Sequence, residues 1–137
     1  MEKSTTFRTG RHCVFALHVH LVFVTKYRRK VLTEGAHETL RTLFTTICAD
    51  FDASLVESNG EDDHVHLLVE YPPKVALSKL VNSLKGVSSR RLRQLHSEIA
   101  ERYYHGVLWS HSYFAASCGG APLSLIRQYV EDQRKTL

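Results

Sequence analysis

The centre of the chain carries two consecutive strand patterns, and this hairpin restricts the fold more than any other feature of the sequence. Residues 53–58 and 64–71 have strand character, and Asn59-Gly60 between them favours a hairpin turn. Pro72-Pro73 ends the second strand, because proline cannot extend a strand ladder. A helical pattern precedes the hairpin and another follows it. The chain is therefore predicted to combine an antiparallel sheet with helices.

The remaining periodicity predicts one strand before these segments and one strand after them along the chain. Residues 13–24 alternate apolar side chains on one face, which predicts a buried strand. Apolar residues at three- and four-residue intervals predict an amphipathic helix over 33–51. A long helical pattern covers 75–104, and Gly86 within it predicts a bend or a close approach. Strand character returns over 106–117.

The order of elements is β-α-β-β-α-β-α, which defines the expected fold class. It is α+β, a ferredoxin-like or RRM-like split βαβ unit with an antiparallel sheet and one additional C-terminal helix. At 137 residues, the chain is expected to form one domain over 1–137. Gly119-Gly120 predicts a hinge near 119–121, and the C-terminal helix is expected over about 122–135.

The charge distribution is uneven although the net charge is only +4. Residues 1–30 carry seven basic side chains against one acid, and residues 74–93 carry six basic side chains and no acid. Together these segments hold 13 of the 18 lysines and arginines. Such clusters attract a polyanion through counterion release, which indicates a nucleic-acid partner. A pair of solvated basic faces is the alternative interpretation.

The cysteines and the apolar runs concern the compartment of the protein. Cys13, Cys48 and Cys118 are odd in number and far apart, which fits neither a disulfide framework nor a Cys-x-x-Cys zinc site. The N-terminal segment has no apolar signal core, and no run approaches the ~18–20 apolar residues that span a bilayer. We therefore expect a cytoplasmic protein with no membrane partner.

Two identical His-Val-His triplets, at 18–20 and 64–66, are the first candidates for a metal site. Residues i and i+2 of a strand point to the same side, so each triplet presents two imidazoles together. Around the second triplet the same polar face carries Glu70, and acidic residues lie just upstream. Around the first triplet the row is mostly apolar and carries no carboxylate.

The second triplet is therefore the better metal candidate, and the first is expected to hold hydrogen-bonded structural histidines. If the two strands are neighbours in the sheet, His18 or His20 could support the metal ligands from behind. A single His-x-His pattern is weak evidence, since surface or packing histidines produce it more often than metal sites do.

The C-terminal helical segment offers a nucleophile and a further ligand. Tyr129 and Gln133 are four residues apart, a spacing that places both side chains on one helical face. A glutamine carbonyl oxygen added to two imidazoles leaves positions open for phosphate oxygens and suits Mg²⁺ or Mn²⁺ better than structural zinc. A tyrosine beside such a metal is a candidate phosphoryl acceptor. Taken alone, Tyr-x-x-x-Gln is a common amphipathic pattern.

Taken in order, these motifs resemble the single-tyrosine HUH (His-hydrophobic-His) transposases, the TnpA enzymes of the insertion sequence 200/605 family. The resemblance covers nearly the whole chain. It is carried by a first strand and basic turn, a histidine strand, a basic helix, a last strand and a tyrosine helix. In this sequence they are HVHLVFVTKYRRKV (18–31), DDHVHLLVEYPP (62–73), LSKLVNSLKGVSSRRLR (77–93), LWSHSYFAASCGG (108–120) and IRQYVEDQ (126–133).

The resemblance implies a DNA transposase that cleaves and rejoins single-stranded DNA at the ends of an insertion element. It implies that His64, His66 and Gln133 bind Mg²⁺ or Mn²⁺, and that Tyr129 attacks the phosphate to form a 5′-phosphotyrosine and a free 3′-hydroxyl. The phosphotyrosine conserves the bond energy, so no nucleotide cofactor is expected, and the sequence has no Walker-type glycine loop.

The resemblance also implies partners. The substrate would be single-stranded DNA with imperfect hairpins, and the protein would be a homodimer whose active sites are shared between subunits. The cations expected to meet DNA phosphates are Lys26, Arg28, Arg29, Lys85, Arg90, Arg91 and Arg93.

The sequence departs from the family pattern at His18, His111 and Cys118, which concern the first strand and the region before the hinge. Two alternative functions stay open. The first is a domesticated relative that acts on chromosomal repeat hairpins. The second is a non-catalytic ferredoxin-like module that binds nucleic acid.

Overall fold

A computed structural model describes residues 8–9, 14–103, 106–117 and 123–133. A 3-10 turn, Lys26–Arg28, follows the third strand. In chain order the other elements are β1 (Arg8–Thr9), β2 (Val14–Phe15), β3 (His18–Val24), α1 (Glu34–Asp50), β4 (Ser54–Gly60), β5 (His64–Glu70), α2 (Leu77–Leu95), α3 (Ser97–Arg102), β6 (Phe114–Ser117) and α4 (Leu123–Gln133).

Four strands form the main sheet in the order β4-β5-β3-β6, and all neighbours are antiparallel. The first strand of the unit, β3, lies between the third and the last, which is the ferredoxin-like arrangement. The predicted α+β fold class is therefore confirmed. The strand predicted over 13–24 is divided, because β2 pairs with β1 in a separate two-stranded ribbon while β3 joins the main sheet.

Helix α1 forms where the apolar spacing predicted it. Its N-terminus is capped by Thr33, whose side-chain oxygen accepts a hydrogen bond from the Ala36 amide at 3.1 Å. Leu40 and Phe44 lie on its buried face, four residues apart. After the helix, Asp52 takes a left-handed backbone conformation (φ 57°), which turns the chain towards β4.

The single long helix predicted over 75–104 is wrong, because the chain forms two helices. Helix α2 ends at Leu95, and the extended backbone of His96 (φ −128°, ψ 91°) separates it from α3. The change of direction lets Ile99 enter the core with 1% of its surface exposed. Gly86 marks neither a bend nor a close approach, since it lies inside α2 and a Cβ there would meet open space.

The strand predicted over 106–117 is confirmed only for its last four residues. The Lys85 ammonium group explains the irregular part: it donates hydrogen bonds to the carbonyl oxygens of Ser110, His111 and Ser112 at 2.7, 3.1 and 3.2 Å. These carbonyls are satisfied by a lysine from α2 instead of a strand partner. Only one isolated bridge, between Thr25 and Trp109, continues the pairing among the described residues.

The two faces of the sheet have different roles. Val19, Leu21 and Phe23 of β3 pack with the core-facing residues of β5 and with α1 and α2 in the main core. Val22 and Val24 point to the opposite face, where they contact Val130 of α4. Within the described part of the chain, none of the helices is both long and apolar enough to cross a membrane.

Candidate active site

His64 and His66 project from one face of β5, because alternate residues of a strand point to the same side. Their Cα atoms are about 6.7 Å apart by strand geometry. Both side chains are partly buried. Across the sheet, Val24 pairs with His64 and Val22 pairs with His66. The two histidines and these two valines therefore share the face that is opposite to the main core.

A buried carboxylate holds one nitrogen of His64. Asp63, with 5% of its surface exposed, places Oδ1 at 2.9 Å from His64 Nδ1. Arg28 Nε donates to Asp63 Oδ2 at 2.7 Å. Burial alone would raise the pKa of Asp63, but the hydrogen bonds with His64 and Arg28 outweigh it and lower the pKa to about 2. Asp63 is therefore ionised at neutral pH.

His20 from the first triplet holds one nitrogen of His66. His20 Nδ1 and His66 Nε2 are 3.1 Å apart, and the two rings stack with centroids at 5.2 Å. Burial, followed by the neighbouring His20, lowers the pKa of His66. His66 is therefore neutral at pH 7, the state in which an imidazole can bind a metal. The prediction that a histidine of the first strand supports the second triplet fits this contact.

His18 has a different environment from the one expected. Its Nε2 lies 3.6 Å from Glu70 Oε2, and Arg8 Nη1 donates to the other carboxylate oxygen at 3.2 Å. The row was expected to lack a carboxylate, but the neighbouring strand supplies one, since His18 and Glu70 are register partners. His18 is buried within this polar group, which agrees with a structural role.

Helix α4 lies on the same face of the sheet as the two histidines. Val130 packs against Val22 and Val24, the register partners of His66 and His64. The Tyr129 ring contacts Phe114 of β6 with centroids 5.7 Å apart. The four predicted site residues, His64, His66, Tyr129 and Gln133, therefore belong to the same side of the molecule, and in this structure one chain supplies all of them.

Two serines hold the polar atoms of Tyr129 and Gln133. Ser110 Oγ and Ser112 Oγ donate to Gln133 Oε1 at 2.9 and 3.0 Å. Ser112 Oγ is also 2.7 Å from the Tyr129 hydroxyl. Ser112 has one hydroxyl proton, so the Tyr129 hydroxyl is the donor in this bond whenever Ser112 donates to Gln133, and Ser112 can donate to Tyr129 when it does not. Both lone pairs of the Gln133 carbonyl oxygen are thus engaged in this arrangement.

The Tyr129 hydroxyl is protonated at neutral pH. Burial raises its pKa above the usual value, and the hydrogen bonds with Ser112 and Ser110 offset this only in part. A tyrosine in this state needs to lose its proton before or during attack on a phosphate. Ser110 and Ser112 were not among the predicted site residues. The only sequence signal at these positions was strand character, which does not indicate contact with a helix about 20 residues later.

The donor set is compatible with a divalent metal. Across the described ranges, His, Cys, Asp and Glu side chains do not converge in groups of three that could hold an ion. The predicted set has only two such residues, both histidines, and its third ligand is the side-chain amide oxygen of Gln133. Neutral His66 and the oriented His64 fit this role, whereas Gln133 has to exchange a serine hydrogen bond for the metal. Such a mixed nitrogen and oxygen set suits Mg²⁺ or Mn²⁺.

The seven predicted DNA-binding cations fall into two groups by position. Lys26, Arg28 and Arg29 lie at the turn after β3, and the other four lie on α2. At the turn, Arg28 also binds Glu131 of α4 through Nη1 and Nη2 at 3.3 Å. Arg29 donates to the Arg102 carbonyl and stacks over Tyr27, while Lys26 lies 5.5 Å from the centre of that same ring.

The cations on α2 differ in how many of their donors are already bound within the protein. Burial lowers the pKa of Lys85, whose ammonium group is occupied by three carbonyls. Arg90 and Arg91 are exposed. Arg93 lines a cleft of about 300 Å³ between α2 and residues 106–111, and its Nε is buried without a hydrogen-bond partner among the described residues. Arg90, Arg91 and Arg93 are therefore better placed than Lys85 for direct contact with a polyanion.

Some of the predicted features lie outside the described residues. These are Cys118 and the expected hinge near 119–121. The predicted tyrosine helix is present as α4 within the expected limits, and its described part ends at Gln133. The side chain of His111 is exposed, and its backbone carbonyl accepts a hydrogen bond from Lys85.

Comparison with known proteins identifies the family to which this fold belongs. Residues 13–133 match the family of IS200-like transposases, and the chain belongs to this family. It is 31% identical over 126 residues to the ISDra2 transposase TnpA of Deinococcus radiodurans, covering 92% of this chain and 90% of that protein. The transposase for insertion sequence element IS200 of Salmonella typhimurium is 27% identical over 114 residues, covering 83% of this chain and 74% of that protein.

Solved structures agree with this classification. A Deinococcus radiodurans R1 protein solved by crystallography superposes with a TM-score of 0.84 at 31% identity, covering 92% of this chain and 97% of that one. A REP-associated tyrosine transposase bound to a REP hairpin superposes with a TM-score of 0.53 at 12% identity, covering 90% and 68% of the two chains. The second likeness extends to the fold alone.

Proposed function

We propose that this IS200-like transposase cleaves and rejoins single-stranded DNA at the ends of an insertion element through a 5′-phosphotyrosine intermediate. Tyr129 is the nucleophile, and His64, His66 and Gln133 hold Mg²⁺ or Mn²⁺. The observation that supports this proposal best is the position of α4. Val130 contacts the valines paired with His64 and His66, so the tyrosine and the histidines share one face.

The reaction exchanges one phosphate ester for another. The Tyr129 oxygen bonds to phosphorus, the bond from phosphorus to the 3′-oxygen breaks, and that oxygen leaves as a 3′-hydroxyl after taking up a proton. A 3′-hydroxyl from a second DNA end then attacks the phosphotyrosine, which restores a phosphodiester and the free tyrosine. When bound, the divalent ion supplies Lewis-acid polarisation of the phosphate. When the Tyr129 hydroxyl donates its hydrogen bond to Ser112, the hydroxyl proton points towards the serine and not towards the incoming phosphate.

The DNA strand is expected to contact the two groups of cations. Lys26, Arg90, Arg91 and Arg93 are proposed as direct phosphate contacts, because each retains donors that are not fully used by the contacts described above. Arg28, Arg29 and Lys85 remain in the proposed DNA-binding set, but their hydrogen bonds indicate that they also shape the surface. A hairpin with an unpaired flank is the substrate class that we infer, since the histidine face has to receive a single strand.

We also propose a homodimer with shared active sites, in which the histidines of one subunit meet Tyr129 and Gln133 of the other. In this structure α4 occupies the histidine face of its own chain, so the same contact surface exists for a helix from either subunit. Among its described side chains, α4 contacts the sheet and the neighbouring segments through Val130 on two valines, the Tyr129 ring on Phe114, the serine hydrogen bonds, and the ion pair of Arg28 with exposed Glu131.

The function is tested with end-labelled single-stranded DNA that contains a hairpin, incubated with Mg²⁺. The wild-type protein should form a covalent adduct that survives denaturant. Tyr129→Phe should bind the hairpin with unchanged affinity and form no adduct, because it lacks the attacking oxygen and keeps the ring contact with Phe114. Cleavage by Tyr129→Phe near the wild-type rate would point to another nucleophile. Binding by the wild-type protein without any adduct would support a non-catalytic module.

The alternative of a relative that acts on chromosomal repeat hairpins would use the same chemistry. The proposal favours an insertion-element enzyme, because the relative at 31% identity is itself named as the ISDra2 transposase, while the REP-associated enzyme shares only 12%. Comparing cleavage of DNA from the flanks of the gene with cleavage of repeat hairpins from elsewhere in the genome separates the two substrates.

A further inference from the structure

The turn after β3 has a strained backbone that points Arg28 towards Asp63. Tyr27 and Arg28 have φ values of 63° and 54°, a conformation that side-chain-bearing residues rarely adopt. Thr25 holds this turn to the segment around Asp63: its amide donates to the Asp63 carbonyl oxygen at 3.0 Å, and the single proton of its hydroxyl lies between the carbonyl oxygens of Arg29 at 2.8 Å and Asp63 at 3.1 Å. The turn and the start of β5 therefore form one rigid unit.

All three guanidinium nitrogens of Arg28 have carboxylate partners. Its Nε donates to Asp63 Oδ2 at 2.7 Å, and its two terminal nitrogens meet the Glu131 carboxylate at 3.3 Å. Only 17% of the Arg28 side chain is exposed. A guanidinium in this position has little capacity left for a DNA phosphate, although the charge pattern alone placed it with the DNA-binding cations.

Asp63 lies between Arg28 and His64 and accepts a hydrogen bond from each. With its Oδ1 engaged by His64 Nδ1, the proton of the neutral imidazole is held on Nδ1 and the lone pair is left on Nε2. The carboxylate also fixes the plane of the imidazole ring. Hydrogen bonds of this kind, from behind a ligand, set the tautomer and orientation that a metal needs.

We propose that Asp63 is a positioning residue that makes His64 present Nε2 to the metal, and that Arg28 secures Asp63 for this task. This inference rests on the proposed function, in which His64 is a metal ligand. It assigns to Asp63 a role that is separate from binding DNA and from contact with the reacting atoms. It also gives Arg28, in addition to its place in the proposed DNA-binding set, a role in organising the active site.

Because Arg28 also binds Glu131, the same guanidinium touches both halves of the site. One end holds the carboxylate behind a histidine, and the other end holds the helix that carries Tyr129 and Gln133. The Glu131 contact is exposed and is expected to be the weaker one. Removal of Arg28 should therefore affect His64 more strongly than it affects the seating of α4.

Asp63→Asn is the variant that tests the role of Asp63, since His64 and Arg28 meet different oxygens of the carboxylate and an amide replaces one of these two acceptors with an NH₂ donor. Asp62→Asn is the matched control, because it makes the same change of charge at the exposed neighbouring position. Arg28→Met tests the second half of the proposal, and Lys30→Met, at an exposed cation of the same turn, is its control. Thermal unfolding of each variant shows that it is folded.

Two measurements are made on the folded proteins. The first is the tautomer of His64, read from long-range proton–nitrogen correlations of its ring without metal. The second is Mn²⁺ affinity by calorimetry, with His64→Ala as the reference for a lost ligand. We expect the wild type and both controls to carry the Nδ1 proton. Asp63→Asn and Arg28→Met should show a mixture of tautomers, with Mn²⁺ binding about 10- to 100-fold weaker.

The outcomes separate the inference from the proposed function. If Asp63→Asn keeps a pure Nδ1–H tautomer and the wild-type Mn²⁺ affinity, Asp63 does not position His64. If Arg28→Met behaves as the wild type while Asp63→Asn does not, the part assigned to Arg28 is overturned. If the wild type and His64→Ala bind Mn²⁺ equally, the metal site of the proposed function is wrong. The tautomer measurement still decides in that case whether Asp63 orients His64.

Discussion

Each of the four predicted site residues has a polar atom that another side chain already holds. Asp63 holds His64, His20 holds His66, and two serines hold Gln133, while one of them also hydrogen-bonds the Tyr129 hydroxyl. These partners determine tautomers and proton positions, which residue type alone does not. They also differ in consequence. The bond at His64 Nδ1 leaves Nε2 for a metal, and His66 has a lone pair on Nδ1 when its Nε2 donates to His20, whereas the carbonyl oxygen of Gln133 has both lone pairs engaged.

The two His-Val-His triplets are predicted to respond differently to substitution. His64→Ala and His66→Ala should each abolish metal-dependent cleavage, because each removes a proposed ligand, and both should remain folded. His18→Ala should keep cleavage activity per folded molecule and lower the free energy of unfolding by about 1 kcal/mol, because it removes the buried partner of Glu70. Chemical denaturation and adduct formation are measured on the same preparations.

The result for His18 can contradict this assignment. A folded His18→Ala protein that forms no adduct, together with an active His64→Ala protein, would place the metal on β3 instead of β5.

At the scale of elements, the site depends on where α4 lies relative to β3 and β5. Strands β3 and β5 are neighbours along seven register pairs, which brings the two triplets together. The helix adds a small apolar contact through Val130, which has 6% of its surface exposed. The histidine face is thus built by the paired sheet and by a helix whose described contacts include Val130, the Tyr129 ring and the serine hydrogen bonds. Substitutions in α4 should change docking of the helix without unfolding the sheet.

Val130→Ala is predicted to loosen α4. It removes two methyl groups from a buried contact with Val22 and Val24, which is worth about 1.5 kcal/mol or about a tenfold change in the docking equilibrium. Hydrogen exchange of the amides of residues 128–133 should accelerate by a similar factor. The control is Val107→Ala, the same chemical change at a valine that is 38% exposed on the cleft beside α2. Unchanged exchange in Val130→Ala would mean that the serine hydrogen bonds suffice to hold the helix.

At the scale of the whole molecule, one chain supplies a full set of candidate residues, while the proposed dimer shares them between subunits. Both arrangements use the same surface, because the helix contacts Val22 and Val24 in either case. The segment that decides between them is the expected hinge near 119–121, which lies outside the described residues. Whether one chain or two chains supply the active site is therefore decided by an activity test that mixes two inactive variants.

Mixing two inactive variants tests the shared site. A His64→Ala protein and a Tyr129→Phe protein should each form no adduct. In a shared-site heterodimer, the intact histidines of the Tyr129→Phe chain meet the intact tyrosine of the His64→Ala chain, and adduct formation should return on mixing. Subunit exchange is verified with differently tagged chains. If the subunits exchange and the mixture stays inactive, α4 works on its own subunit during cleavage.

The local periodicity of the sequence determined much of the fold. Alternation along β3 and β5 and the spacing of Leu40 and Phe44 in α1 predicted these elements, because each pattern states which side chains must be buried together. The turn predicted at Asn59-Gly60 is wrong in position: both residues belong to β4, where they pair with His66 and Val65, and the chain turns at residues 61–63. The same alternation placed His64 and His66 on one face. The spacing of Tyr129 and Gln133 likewise placed them on one side of a helix. These features depend on neighbours within a few residues, so the sequence by itself contains them.

Contacts between distant parts of the chain decided the rest. The break at His96 and the irregular path of residues 110–112 follow from burying Ile99 and from Lys85 capping three carbonyls, 25 to 27 residues away. Arg28 and Asp63 are 35 residues apart, and Ser110 and Gln133 are 23 apart. Only the tertiary structure shows these pairs, because a hydrogen bond depends on where two side chains meet in space, and no periodic pattern records that meeting.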